Sequence, residues 1–278
     1  MQLGIRLHDT EKLPFEERIK LVHDLGYECG HLALSKVIEE FPTNDGALTP
    51  GLAKYIKRVF EKNQVDIAVL GCYLNLANPN PTKLNQITHR YMAHIRFASL
   101  LGCGVVGTET GAPNETYTLF KECHGEEALE TFIKNLRPVI RYAEQMGVIV
   151  AIEPVYKHIV CNPQRARRVL DAIKSPNLQV ILDPVNLLDI SNYQLQREIM
   201  EEAIGILDED IAMIHIKDYI VEGEKLVSVG AGKGQMDYTS LMKFIKLSKP
   251  YIHVTLENTT PKDHEQCKNH ILKLYKEA

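Results

Sequence analysis

The chain has 278 residues, of which 45% are apolar and 24% charged, and its 32 basic and 36 acidic side chains leave a formal charge of −4. These are the proportions of a globular protein with a large core, which excludes a disordered or collagen-like chain. The acidic balance argues against nucleic acid or a polybasic membrane surface as partner, because phosphate backbones are met by an excess of Lys and Arg.

No apolar run approaches the roughly 20 residues of a membrane span. The start, Met1-Gln2-Leu3-Gly4-Ile5-Arg6-Leu7-His8-Asp9, turns polar too soon for a signal peptide. Cys29, Cys72, Cys103, Cys123, Cys161 and Cys267 form no CxxC, and several lie in apolar runs. They read as reduced thiols of a cytoplasmic protein rather than a disulfide framework or a zinc-thiolate site.

Short apolar runs alternate with longer stretches of helical periodicity. A strand over 3–7 precedes a helix over 14–25, which Pro14 opens and Gly26 stops. A strand over 29–34 precedes a helix over 50–62. A third strand, 66–73, breaks into Asn78-Pro79-Asn80-Pro81, a loop signal, before a helix over 84–101. The fourth pair is 104–108 and 126–146, and the fifth 148–153 and 163–173. The sixth is 179–183 and 193–207. Strand seven, 211–215, leads through a loop holding Gly223, Gly230, Gly232 and Gly234 to a helix over 239–247. The last pair is 252–257 and 262–275.

Eight strand–helix units imply a parallel sheet, and strands apolar on both faces imply one that is covered on both sides. The expected fold is a single (βα)8 TIM barrel spanning 1–278. No GxGxxG follows strand one, and Gly230-Ala231-Gly232-Lys233-Gly234 lacks P-loop spacing. That run is expected to be a loop near the site, not a nucleotide cradle.

A barrel's active end is the C-terminal end of its strands. Strands five to eight end in Ile152-Glu153, Leu182-Asp183, Ile214-His215 and Leu256-Glu257. A lone strand-terminal acid is ordinarily a helix cap or a solvated loop residue. Four residues of metal-ligand type at successive strand ends are hard to explain as caps. Three carboxylates converging in one cavity repel, and a divalent cation neutralises them. Three oxygens and a nitrogen suit Mn²⁺, Mg²⁺, Co²⁺ or Zn²⁺.

Other residues carry weaker signals. Lys217 follows His215 by two, so both point the same way. It either aids a substrate oxygen or pairs with a barrel carboxylate. Glu109 either contacts substrate or caps the next helix. His8 lies at the rim of strand one, where a polar strand end is expected anyway. His89 and His94 share no helix face well enough for a ligand pair. His264 and His270 read as solvent-facing, and Arg165-Ala166-Arg167-Arg168 as a solvated helix face.

Essentially the whole chain, as a barrel, resembles the xylose isomerase-like superfamily of sugar isomerases and epimerases, in the branch with ketose 3-epimerases and inosose dehydratase, and the specific part lies in the second half. The resemblance rests on Ile152-Glu153-Pro154, Leu182-Asp183, His215-Ile216-Lys217-Asp218, Val229-Gly230-Ala231-Gly232 with Asp237, and Leu256-Glu257-Asn258. It implies one divalent metal, Mn²⁺ first, held by Glu153, Asp183, His215 and Glu257. It also implies that Glu153 and Glu257 act as an acid/base pair on a small-molecule sugar through an enediolate. Relatives of this kind form dimers or tetramers, so a homo-oligomer is expected.

The departures bear on substrate. Where ketose epimerases have a histidine three residues after the strand-six aspartate, this chain has Asn186. Where they have an arginine six residues past the strand-seven histidine, it has Val221. His158 falls near their substrate-binding glutamate and is read as a site residue or a solvated loop histidine. These changes keep a lyase open as an alternative, either an inosose-type dehydratase or a C-glycoside-cleaving relative. The intact ligand set speaks against a non-catalytic sugar-binding barrel. The related endonuclease IV-type repair enzymes need extra histidines on strands three, four, six and seven; this chain has Asn75, Glu109 and Asn186 after the first three, and Glu224-Lys225-Leu226 where their Asp-x-His follows strand seven. The nuclease reading is therefore rejected.

Overall fold

Every one of the eight predicted runs holds a strand. In the computed structural model, which describes residues 1–118 and 121–278, the strands are β1 (Gln2–Arg6), β2 (Cys29–Leu32), β3 (Asp66–Gly71), β4 (Val105–Glu109), β5 (Ile149–Glu153), β6 (Leu178–Leu182), β7 (Ile211–Ile216) and, eighth in the barrel, β10 (His253–Leu256). They close in the order β1-β10-β7-β6-β5-β4-β3-β2. Every pairing is parallel, from Gln2 opposite His253 round to Gly4 opposite Cys29. The fold is a (βα)8 TIM barrel.

The outer ring is built from α1 (Phe15–Asp24), α3 (Pro50–Lys62), α4 (Pro81–Leu101), α5 (Glu126–Met146), α6 (Pro163–Ile173), α7 (Gln196–Leu207), α8 (Thr239–Ser248) and α9 (His264–Glu277); a short α2 (Leu34–Val37) follows β2. Side-chain caps fix several starts. Thr49 accepts from the Leu52 amide ahead of Pro50, Asn80 from Thr82 and Lys83 ahead of Pro81, and Asn162 from Arg165 ahead of Pro163. Gly102 and Gly147 stop α4 and α5 in the left-handed conformation, at φ +77° and +65°.

Two cores result. The larger lies between strands and helices. The smaller fills the barrel with Cys29, Ala68, Val69, Ala151, Ile181 and Met213. Strand side chains alternate faces, so two residues further along the chain comes the next inward layer. Stepping by two from the barrel core gives His31, Gly71, Glu153, Asp183 and His215. The chemistry therefore stands one layer above an apolar plug.

The largest departure from expectation follows β7. The glycine-rich stretch is not a simple loop: β8 (Asp218–Glu222) and β9 (Lys225–Val229) form an antiparallel hairpin, with Glu222 opposite Lys225 across a turn in which Gly223 has φ +58°. Residues 230–236 then fold back onto Asp218. Its buried carboxylate accepts from the amides of Tyr219, Gly232, Gly234 and Met236 at 2.8–3.0 Å. A Cβ at Gly234 would meet the Tyr219 carbonyl at 2.0 Å, so the close approach requires glycine. The Gly-x-Gly run cradles a carboxylate of its own chain.

Smaller corrections concern ends and surfaces. β1 stops at Arg6, and His8 lies in the 3₁₀ turn Leu7–Asp9. Asp183 and Glu257 are the first residues past their strands. Arg165 is not solvated: it is buried and donates to the carbonyls of Ile159, His124 and Gly125. His264 and His270 are half-buried. All six cysteines are free and buried. Among the described residues no helix is long and apolar enough to cross a membrane.

Asp218→Asn would set an amide group against two of the four donors. Charge-assisted hydrogen bonds at a buried site are strong, so the substitution should cost about 3 kcal/mol of stability. Urea unfolding measures this; a midpoint equal to wild type would mean that the loop closes without Asp218.

Candidate active site

The alternation that builds the inner layer brings buried Glu153, Asp183 and His215 together, and His215 also meets Glu257. His215, fully buried on β7, has its Nδ1 3.2 Å from Glu153 Oε1 at the end of β5. The same Nδ1 lies 3.4 Å from Glu257 Oε1, just past β10. Asp183 enters beside them. Its Oδ1 accepts from the amides of Val185 and Asn186 at 3.0 and 3.3 Å, which fixes the carboxylate in the turn after β6. Its Oδ2 makes a 2.7 Å ion contact with Lys217 Nζ, off the line of a hydrogen bond. Lys217 is also 3.6 Å from Glu257 Oε2, and Arg6 Nη1 is 3.2 Å from the same oxygen. Asn186 Nδ2 donates to Glu153 Oε1 at 2.7 Å.

These contacts set the charges. Burial would push the His215 imidazole down, but Glu257 and Glu153 outweigh it and raise it to about 9. Burial would raise both glutamates, yet His215 holds Glu153 below its usual range and, with Lys217 and Arg6, holds Glu257 well below. Asp183 is raised to about 6, by burial first and then by the two glutamates, against the pull of Lys217. Lys217 is buried too, and Asp183, Glu257 and Glu153 hold it firmly charged.

The two glutamates are not equivalent. Glu257 has both oxygens engaged, Oε1 by the histidines and Oε2 by Arg6 and Lys217. Glu153 is held through Oε1 alone; among the described residues Oε2 has no hydrogen bond or ion contact, and the side chain faces the cavity.

A cavity of about 240 Å³ opens here. Of the residues singled out in the sequence, His8, Glu109, Glu153, Asn186, Lys217 and Glu257 line it. Asp183, His215 and His158 do not; His158 is buried behind Glu109, with Nδ1 3.8 Å from Oε2. Burial lowers His8 to about 3 and His158 to about 4, so both are neutral at pH 7. Glu109 is raised to about 7, by burial first and by Glu153. Tyr117, at φ +57°, donates its hydroxyl to Glu109 Oε2 at 3.1 Å and meets the His158 ring edge to face.

Arg6, His31 and Tyr117 escape a reading of strand ends, and Tyr73, the last residue of the predicted third strand, is not singled out by it. Arg6 and His31 sit within β1 and β2 and pair in register with each other. The signal for His31 is its spacing of two from Cys29, which is visible only once the inward face of β2 is known.

The site suits a cation. Donor atoms of Glu153, Asp183 and His215 lie within 4.8 Å of one another, and so do those of His31, His215 and Glu257. Among the described residues His31 Nδ1 is buried without a hydrogen-bond partner, whereas Asp183 Oδ2 is met by the Lys217 ammonium. Residues 19–276 match the family model of the xylose isomerase-like TIM barrel. The chain belongs to this family. No curated protein matches it. Among solved structures it is similar to the IOLI protein with a binding zinc atom, at 18% identity and TM-score 0.76, covering 100% of this chain and 99% of that one. A D-tagatose 3-epimerase-like protein gives 18% and 0.76 over 100% and 97%. The probable 3-DHS dehydratase AsbF from Bacillus anthracis gives 11% and 0.74 over 99% and 98%. At these identities the likeness is one of fold.

Lys217→Met would leave Asp183 buried beside Glu153 and Glu257 without its ammonium partner. Breaking a buried pair from one side is costly, so stability in the presence of chelator should fall by about 3 kcal/mol. Urea unfolding reports it, and an unchanged midpoint would show that Lys217 does not carry the balance.

Proposed function

We propose that this chain is a divalent-metal-dependent isomerase or epimerase acting on a ketose or related sugar. The observation that carries the reading is the convergence of Glu153 and Glu257 on one imidazole nitrogen, at 3.2 and 3.4 Å, beside a polar cavity. Glu153, Asp183, His215 and Glu257 would hold the ion, with Mn²⁺, Mg²⁺, Co²⁺ or Zn²⁺ all compatible with three carboxylates and an imidazole. Bound there, the ion supplies positive charge where negative charge develops on a substrate oxygen during enolisation.

The chain's own residues supply the rest. β5 and β10 are separated in the barrel by β6 and β7, so their glutamates approach a bound carbon from different sides. One removes a proton and the other returns one, which inverts the carbon. Glu153 is the readier base, because its Oε2 is uncommitted while Glu257 is pinned by Arg6 and Lys217. Asn186 keeps the Glu153 carboxylate turned toward the centre. His8 and Glu109 present neutral or half-protonated groups to sugar hydroxyls. The barrel's elements run from Gln2 to Glu277, which supports reading residues 1–278 as one domain.

A dehydratase is the second reading. Glu109, at about 7, lies opposite Glu153 in register across β4 and β5 and could protonate a departing hydroxyl.

The test begins with protein stripped by chelator and refilled with mixed divalent ions. Elemental analysis should find about one ion per chain, and markedly less in Glu153→Gln. Turnover of a ketohexose and inosose panel in D₂O then separates the reactions. An epimerase returns an isomer carrying deuterium at the inverted carbon; a dehydratase returns a product lighter by water. Glu153→Gln and Glu257→Gln should each lower kcat by about 10²–10⁴-fold. A refilled wild type without stoichiometric metal would sink the proposal.

A further inference from the structure

His31 is the one buried histidine of the inner layer that the four-residue set does not use. It stands two residues above Cys29 of the barrel core, so its ring points inward. The ring lies parallel to that of His215, with centroids 5.2 Å apart and planes 8° apart. Both Nδ1 atoms face the same oxygen, Glu257 Oε1, at 3.4 Å from His215 and 3.6 Å from His31. The His31 distance is too long for a hydrogen bond, and among the described residues its Nδ1 has no other partner. The far side of the ring is held in place. Nε2 lies 3.5 Å from the Tyr73 hydroxyl, and a Cβ at Gly71 would come within 2.8 Å of it. Gly71 thus leaves room for the ring, and Tyr73 backs the nitrogen that faces away from the centre. Metal-bound histidines are commonly steadied in this way through their other nitrogen.

We infer that His31 is a fifth donor to the ion proposed for this site, giving a shell with two imidazoles and shifting its preference toward Zn²⁺ or Co²⁺ over Mn²⁺ or Mg²⁺. The two candidate donor groups share His215. Its Nδ1 is the nitrogen that both Glu153 Oε1 and Glu257 Oε1 approach, at 3.2 and 3.4 Å, so one ion placed there would draw on both groups. A buried ring nitrogen without a partner is costly, and a cation near Glu257 Oε1 supplies the partner. Imidazole favours zinc and cobalt, whereas carboxylates alone suit magnesium and manganese. The inference rests on the metal-dependent reading above.

The test separates the two. Chelator-stripped wild type and His31→Asn are titrated calorimetrically with ZnCl₂ and with MnCl₂. The substitution should weaken Zn²⁺ binding by about 10–100-fold while leaving Mn²⁺ within about threefold. In parallel, the Co²⁺-loaded wild type is examined by proton NMR. Each ligating imidazole keeps one exchangeable N–H, so two paramagnetically shifted exchangeable signals are expected, and one in His31→Asn. Equal Zn²⁺ affinity in the two proteins, or a single such signal in the wild type, overturns the role of His31 and leaves the four-residue centre standing. If His31→Asn does not fold, the signal count in the wild type decides alone. A wild type that binds none of the three ions overturns both readings.

Discussion

Three carboxylates almost wholly removed from water are the constraint around which this barrel is arranged. Glu153, Asp183 and Glu257 are each at most 5% exposed, and unpaired charges at such depth are not tolerated. Three positive groups answer them: His215, Lys217 and Arg6. Arg6 is shared with Asp9, which accepts from its Nε at 2.9 Å, so the two glutamates lean chiefly on His215, whose imidazole is held near 9 against the cost of its own burial. The proton sits on the nitrogen that both glutamates face, so a proton there and a cation at the same point exclude each other. The ion pairs mark the place where a divalent ion would bring the missing charge and free the imidazole to be neutral.

The rest of the fold keeps those groups from relaxing away. The apolar layer of Cys29, Val69, Ala151, Ile181 and Met213 closes the barrel beneath them, so the charged layer can open only toward the loops. The loops are tied in turn. Asp218 gathers the glycine-rich return of the β8–β9 hairpin, directly after Lys217. Arg165 pins segments that follow β4 and β5. Both are buried charges spent on backbone groups, a use that rigidifies a segment at the edge of a site.

Sequence reasoning reaches the residues that stand at strand ends. Glu153, Asp183, His215 and Glu257 each close a run of apolar residues, and the barrel rule says where such ends point. It does not reach residues whose role depends on which face of a strand is inward. His31 lies inside a four-residue strand that is buried on both faces, so no polar–apolar alternation marks its orientation. Arg6 has the same difficulty, since a terminal arginine reads as solvated until its carboxylate partner across β10 is placed. The hairpin after β7 was hidden for another reason. Its glycines signal a loop, and the partner that organises them, Asp218, belongs to the preceding motif. Tyr117 lies in a connection without periodicity, and only its contact with Glu109 gives it meaning.

Under the proposed function, the ligand set itself would not choose among epimerisation, isomerisation and dehydration, because all three begin by removing a proton beside a polarised oxygen. The choice falls to the walls. One wall is asymmetric in its bases: Glu257 is gripped through both oxygens, whereas Glu153 offers Oε2 to the cavity. So held, Glu257 would be the poorer proton acceptor of the two. The other wall carries Glu109, neither firmly charged nor firmly neutral, with Tyr117 donating to one of its oxygens and His158 behind it. Substrate that places a hydroxyl against Glu109 meets a proton donor, and elimination becomes accessible. Substrate that places a carbon-bound hydrogen toward Glu153 and leaves Glu109 to bind a spectator hydroxyl is confined to proton return. Under the proposed function, specificity would be a matter of which substrate atom faces Glu109, with the buried charged centre common to every outcome.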